Sequence, residues 1–243
     1  MTAPAAARRE IRIEPAPAGL AIIVDGRPLR TPQGVEVVVP TRALAEGLAA
    51  ELGAPGAQAG PGKLRAEAMP LMGMASTALD RISRHRADIE GQLLAYAETE
   101  LLCHRAERPP ELVARQRAVW QPLLDWLALR HDALLAATTG VLAKPQSPAS
   151  LEALRMVIAG FDVWRLTGVS VAVAASGSLV IGLALADGRV DAAQAFEASE
   201  LDASYQIEQW GEDWEATQRR AGVRADLELA ARFFGLLARS ESR

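Results

Sequence analysis

Residues 166–186 form a run of 21 residues without a charge. Such a run must leave water, either in a bilayer or at the centre of a folded protein. Its length would satisfy a transmembrane helix. Its composition argues otherwise, because Thr167, Gly168, Ser170, Ser176, Gly177, Ser178 and Gly182 interrupt it and no Trp or Tyr lies inside. The sequence therefore predicts one buried apolar helix over about residues 163–186 and no stable membrane insertion. A membrane-attached adaptor using this run is the alternative.

A buried helix needs a large core around it. The 243 residues are 50% hydrophobic but only 5% aromatic, so that core must be built from helices packed through Ala, Leu and Val. The single cysteine, Cys103, excludes an internal disulfide and a cysteine zinc cluster, and it fits a reducing cytoplasm. A pI near 5.5 gives no support for nucleic-acid binding. Residues 1–10 lack the apolar stretch of a secretory signal and are short for a transit peptide, which points to a mobile N-terminus in a bacterial cytoplasmic protein rather than an organellar one.

The first third reads as β-rich, with short apolar runs bounded by turn signals. Residues 20–24 lead into Asp25-Gly26, a pair that turns a hairpin because both positions accept positive φ. Pro32-Gln33-Gly34 makes a second turn before residues 35–39, residues 11–14 offer an edge strand, and Thr41 is placed to cap a helix to about Leu52. Residues 63–68 offer one further strand. From Met69 the spacing is helical: residues 69–82, about 88–107, a long helix after Pro109-Pro110, one capped by Ser150, the apolar run, an acidic helix from about Asp191, and residues 225–238. The expected fold class is α+β, a small β-rich N-terminal domain followed by a larger all-α helical-bundle C-terminal domain. Its boundaries are 1–10 for the N-terminus, 11–68 for the β-rich α/β domain and 69–243 for the helical domain.

Between residues 191 and 218 lie eight acids and no Lys, Arg or His. The whole chain is −4, and the remainder without this segment holds 26 bases against 22 acids. Glu197, Glu200 and Glu208 fall in one wedge of a helix, Ile207, Trp210 and Trp214 on a neighbouring stripe, and Leu201 and Tyr205 on the other side. A solvated face over a core stripe is one reading; a contact surface for a partner with basic groups is the other. The latter predicts that charge reversal at Glu200 or Glu208 weakens capture without changing melting.

No catalytic set emerges. His85, His104 and His131 have no metal-pair spacing, and Cys103 beside His104 on a helix would point about 100° away from it. No phosphate-binding glycine motif occurs, and neither a cofactor nor a metal is expected. An enzyme with a site around Glu98, Glu100 and His104 is the alternative.

Four segments together resemble one family. They are residues 69–82 (MPLMGMASTALDRI), 96–106 (YAETELLCHRA), 120–126 (WQPLLDW) and 201–213 (LDASYQIEQWGED). They occur in the order found in the assembly chaperones that handle the α subunit of the ATP synthase F(1) head, the ATP-twelve family. Ala203 stands where that family usually has a second acid, Tyr205 replaces a common Trp, and Glu100 and His104 replace Asp and Tyr. The resemblance implies a non-enzymatic, monomeric chaperone that holds unassembled α subunit until the β subunit replaces it. The partner contacts are expected on the acidic helix, from Glu197, Glu200, Asp202, Tyr205, Glu208, Trp210, Glu212 and Asp213.

Overall fold

The computed structural model describes residues 9–54, 58–60, 63–64, 68–140, 144–211 and 213–238. Most of the expected mobile N-terminus, residues 65–67 of the further strand, and Glu212 lie outside these. The chain divides into two compact units, one of residues 1–84 with 233–243 and one of residues 85–232.

In the first unit, β1 (Ile11–Ala16) and β2 (Gly19–Val24) pair antiparallel, with Ile13 opposite Ile22. Asp25 and Gly26 both adopt positive φ, 51° and 76°, so the expected tight turn forms and returns the chain as β3 (Arg27–Pro28). β4 (Val38–Val39) pairs with the start of β2. There a Cβ on Gly19 would sit 2.2 Å from the Val39 carbonyl oxygen, so only glycine allows the approach. Helix α1 (Arg42–Gly53) starts at Thr41, whose side chain accepts from Leu44 N, and it buries Leu44, Leu48 and Leu52. β5 (Gln58–Gly60) and β6 (Lys63–Leu64) form a separate pair.

Helix α2 (Pro70–Ser76) has no side-chain cap of its own. The buried Glu51 carboxylate of α1 supplies one, accepting from Leu71 N at 2.9 Å and Met72 N at 3.1 Å. The helical segment at residue 70, expected with the helical domain, thus packs with α1 in the first unit. It continues as a π-helical turn, Thr77–Ile82. The wider turn buries Ala78 and Ile82 and leaves Leu79 half-buried.

The second unit begins with α3 (Arg86–Glu98). The helix expected to reach residue 107 stops there, and a 3-10 turn at Leu101–Cys103 leads into β7 (His104–Arg105). Cys103 and His104 therefore do not share a helix. Helix α4 (Pro110–His131) crosses the unit, and β8 (Thr138–Thr139) pairs parallel with β7. Helix α5 (Pro148–Ala159) is capped by Ser147 rather than Ser150, with Pro148 in the first turn.

The apolar run is not one helix. It breaks at Gly177 (φ 71°) into α6 (Val163–Ser176) and α7 (Leu179–Ala186), which pack on each other, and every residue of α7 is buried. At Gly182 a Cβ would stand 2.5 Å from Val173 Cγ2, so glycine sets the close approach of the pair. Among the described residues no helix is long and apolar enough to cross a membrane.

The cap of α7 explains why α3 ends early. Glu100, fully buried, receives hydrogen bonds from Leu179 N at 3.0 Å, Val180 N at 3.3 Å, Leu102 N at 3.2 Å and the Ser178 hydroxyl. A continuous helix could not turn this carboxylate inward to the start of α7. Burial is the largest influence on its proton affinity and raises its pKa from 4.5 to about 7, against the pull of those four donors.

Candidate functional site

The acid-rich segment is divided into α8 (Ala192–Ser199), α9 (Leu201–Trp210) and the start of α10 (Trp214–Ala238). Asp191 opens α8 in a reciprocal capping box with Gln194. Gly211, at φ 87°, closes α9. Asp213 accepts from Ala216 N at 2.7 Å, in the first turn of α10. Part of the negative charge therefore serves helix ends.

The expectation of an uncompensated carboxylate face is corrected at two positions. Glu200, only 5% exposed, takes a two-pronged pair from Arg219 at 2.7 Å on each oxygen and a third contact from Arg220 at 3.1 Å. Arg220 also donates to Ser204 Oγ at 3.0 Å, and the guanidinium groups of Arg220 and Arg224 lie 5.2 and 4.0 Å from the Phe196 ring centroid. Glu208, half exposed, pairs with Arg115 of α4 at 2.7 Å, and Arg115 also covers the Tyr205 ring at 5.4 Å. The compensating bases come from α4 and α10, outside the acidic window.

Two further bonds seat α8 and α9 on α4. Trp120 is 1% exposed and donates from Nε1 to the Ala198 carbonyl at 2.8 Å. Gln116, equally buried, donates to Asp202 Oδ1 at 2.8 Å and accepts from Ala106 N at 2.8 Å. These buried, satisfied amides and indole fix the register of α9.

Of the expected contact residues, Glu197, Asp202, Glu208, Trp210 and Asp213 are exposed, Tyr205 is half-buried and Glu200 is turned inward. Sequence reasoning left open whether Trp210 and Trp214 are core anchors. They are 83% and 74% exposed, on either side of the turn at Gly211. Two bare indoles among carboxylates are what the corner presents to water. Reading residues 191–218 by themselves missed Arg115, Gln116, Arg219 and Arg220. The signal available was that basic residues resume at Arg219-Arg220, immediately after the acid-only window.

The alternative site around Glu98, Glu100 and His104 lacks room. Its cavity, also lined by Cys103 and Gln146, leaves no space for a water molecule, and the Glu100 oxygens are engaged by α7. Burial pushes the Cys103 thiol up to about 12, far from a reactive thiolate. Among the described residues no group of His, Cys, Asp and Glu could hold a metal ion.

A family model described as ATP12 chaperone protein matches residues 7–128. The solved structure of Atp12 from Paracoccus denitrificans is 37% identical, with 93% of this chain and 95% of that one covered and a TM-score of 0.86. A putative chaperone from Agrobacterium tumefaciens is 31% identical over 94% of this chain and 84% of its own, with a TM-score of 0.82. Mitochondrial protein atp12 of Schizosaccharomyces pombe is 24% identical over 200 residues, which are 78% of this chain and 68% of that protein.

Proposed function

The chain belongs to the ATP12 chaperone family, and we propose that it captures the unassembled α subunit of the ATP synthase F(1) head and releases it when the β subunit takes its place. It works as a monomer in the bacterial cytoplasm and catalyses no reaction. The observation that carries this reading is the exposure of Trp210 and Trp214 at a corner whose neighbouring side chains are acidic. Tryptophan is the residue most enriched among the few that dominate protein interfaces, and a soluble monomer rarely leaves two together in water.

The chemistry suits a grip that must let go. A free subunit exposes an interface that would otherwise self-associate, and a temporary partner has to cover it reversibly. Indoles supply apolar contact, while Glu197, Asp202, Glu208 and Asp213 steer basic groups and leave the surface soluble when empty. We assign Glu212 and Tyr205 to the same surface. Glu200 acts differently: it holds α9 to α10 and so positions the corner. Co-expression with the host's α subunit tests the reading. A one-to-one complex is expected on purification, and α subunit that aggregates equally with and without this protein would refute it.

A further inference from the structure

Arg105 lies in one of the segments that carry the family resemblance, yet the surface just described gives it no role. It is half-buried in β7. One terminal nitrogen donates to the Gln116 carbonyl at 2.9 Å, the other reaches Gln121 Oε1 at 3.4 Å, and the guanidinium stands 5.4 Å from the Trp120 ring centroid. Its Nε is buried without an acceptor among the described residues, and no carboxylate there pairs with it. The acids that act on it from a distance, Asp125 and Asp202, are held instead by Gln121 and Gln116 at 2.8 Å. Burial accordingly lowers its proton affinity. A desolvated cation served only by neutral acceptors is unfavourable for the isolated fold.

The same guanidinium lines an open groove of about 390 Å³ with Val113, Gln116, Arg117, Gln121 and Thr139. Val113, Gln116, Arg117 and Gln121 recur at helical spacing on one side of α4. Arg117 is exposed and makes no ion pair among the described residues.

We propose that this groove receives a carboxylate side chain of the captured polypeptide, its oxygens on Arg105 and Arg117 and its aliphatic stem against Val113. The inference rests on the proposed function for the existence of that polypeptide. Three features favour a side chain over a free anion. The groove is far larger than a small anion needs, its walls include apolar surface at Val113, Ala106 and Ala137, and its two guanidinium groups match the flat, two-oxygen geometry of a carboxylate. Gln116 also joins the groove to the acidic corner, because one amide bonds Ala106 beside the groove and Asp202 on α9. A single partner can therefore meet both signs of charge, which fixes its orientation as well as its affinity.

Two readouts test this. The first follows the Arg105 Nε–H resonance while a capped glutamate peptide or inorganic phosphate is added at equal ionic strength. The second compares α-subunit affinity of the wild type and Arg117→Glu. The peptide is expected to move the resonance more than phosphate does, and Arg117→Glu is expected to weaken capture about tenfold with melting unchanged. No movement with the peptide, or undiminished capture by Arg117→Glu, overturns the proposal. Equal movement with phosphate replaces the side chain by a free anion and overturns it too. Movement with the peptide while even the wild type captures no α subunit upholds the groove and refutes the identity of the partner.

Discussion

Helices α7 and α9 lie in the same unit and each depends on a buried carboxylate, but the two carboxylates are satisfied in opposite ways. Glu100 meets backbone N–H groups and one hydroxyl, with no cation among the described residues, and every residue of α7 is buried. Glu200 meets two guanidinium groups, and α9 beside it buries only Leu201. The first arrangement spends its carboxylate on closing a core. The second spends one on holding a helix whose remaining surface, Trp210 included, stays in water. A chain that carried only the first kind would be a stable fold with nothing to offer a partner.

The comparison breaks most visibly at Glu200. Glu200→Ala removes the buried carboxylate shared by Arg219 and Arg220 and should lower stability by about 3 kcal/mol, read by urea denaturation. A change within experimental error would mean the ion pairs do not hold α9. This replaces the expectation from sequence that reversal at Glu200 spares melting.

At Glu100 the effect is set by pH. Its carboxyl titrates near 7 in the folded protein against an ordinary 4.5, so between those values the folded state binds the extra proton. Stability should fall as pH rises from about 4.5 to about 7 and level off above, by roughly 1–3 kcal/mol. Glu100→Gln, which cannot ionise, should lack that slope, so the difference between the two proteins should carry it. An identical pH profile for both would show that the carboxylate is not strained by burial.

Glu208 sharpens the contrast from the weak side. Its pair with Arg115 is about half exposed, so Glu208→Lys should shift stability by no more than about 1 kcal/mol. It should nevertheless reduce α-subunit capture, and a variant that binds as well as the wild type would remove Glu208 from the surface.

The two helices also differ in how far the sequence revealed them. The Asp25-Gly26 hairpin, the cap at Thr41 and the helical rhythm of α4 are set by neighbours a few residues apart, and each was legible. The break at Gly177 was not, because a run of small residues reads equally as close helix packing. Beside the local cap at Ser178, the start of α7 is held by Glu100, 78 residues away in sequence. The partners of Glu200 were missed for a related reason: Arg219 and Arg220 are 19 and 20 residues on, just beyond a window chosen for its lack of bases. The acidic and aromatic character of the site was plain from composition. Which acids face inward depended on contacts between helices that no periodicity encodes.

The exposed indoles remain the centre of the comparison, since they are what α9 and α10 offer and α7 does not. The most direct measurement is the affinity of the paired variant Trp210→Ala/Trp214→Ala for the α subunit, with its melting temperature recorded beside it. Both rings are largely solvent-exposed, so stability should move by no more than about 0.5 kcal/mol while binding weakens at least about a hundredfold. Wild-type affinity in a variant that folds and melts normally would contradict the assignment of this corner as the place where the partner is held.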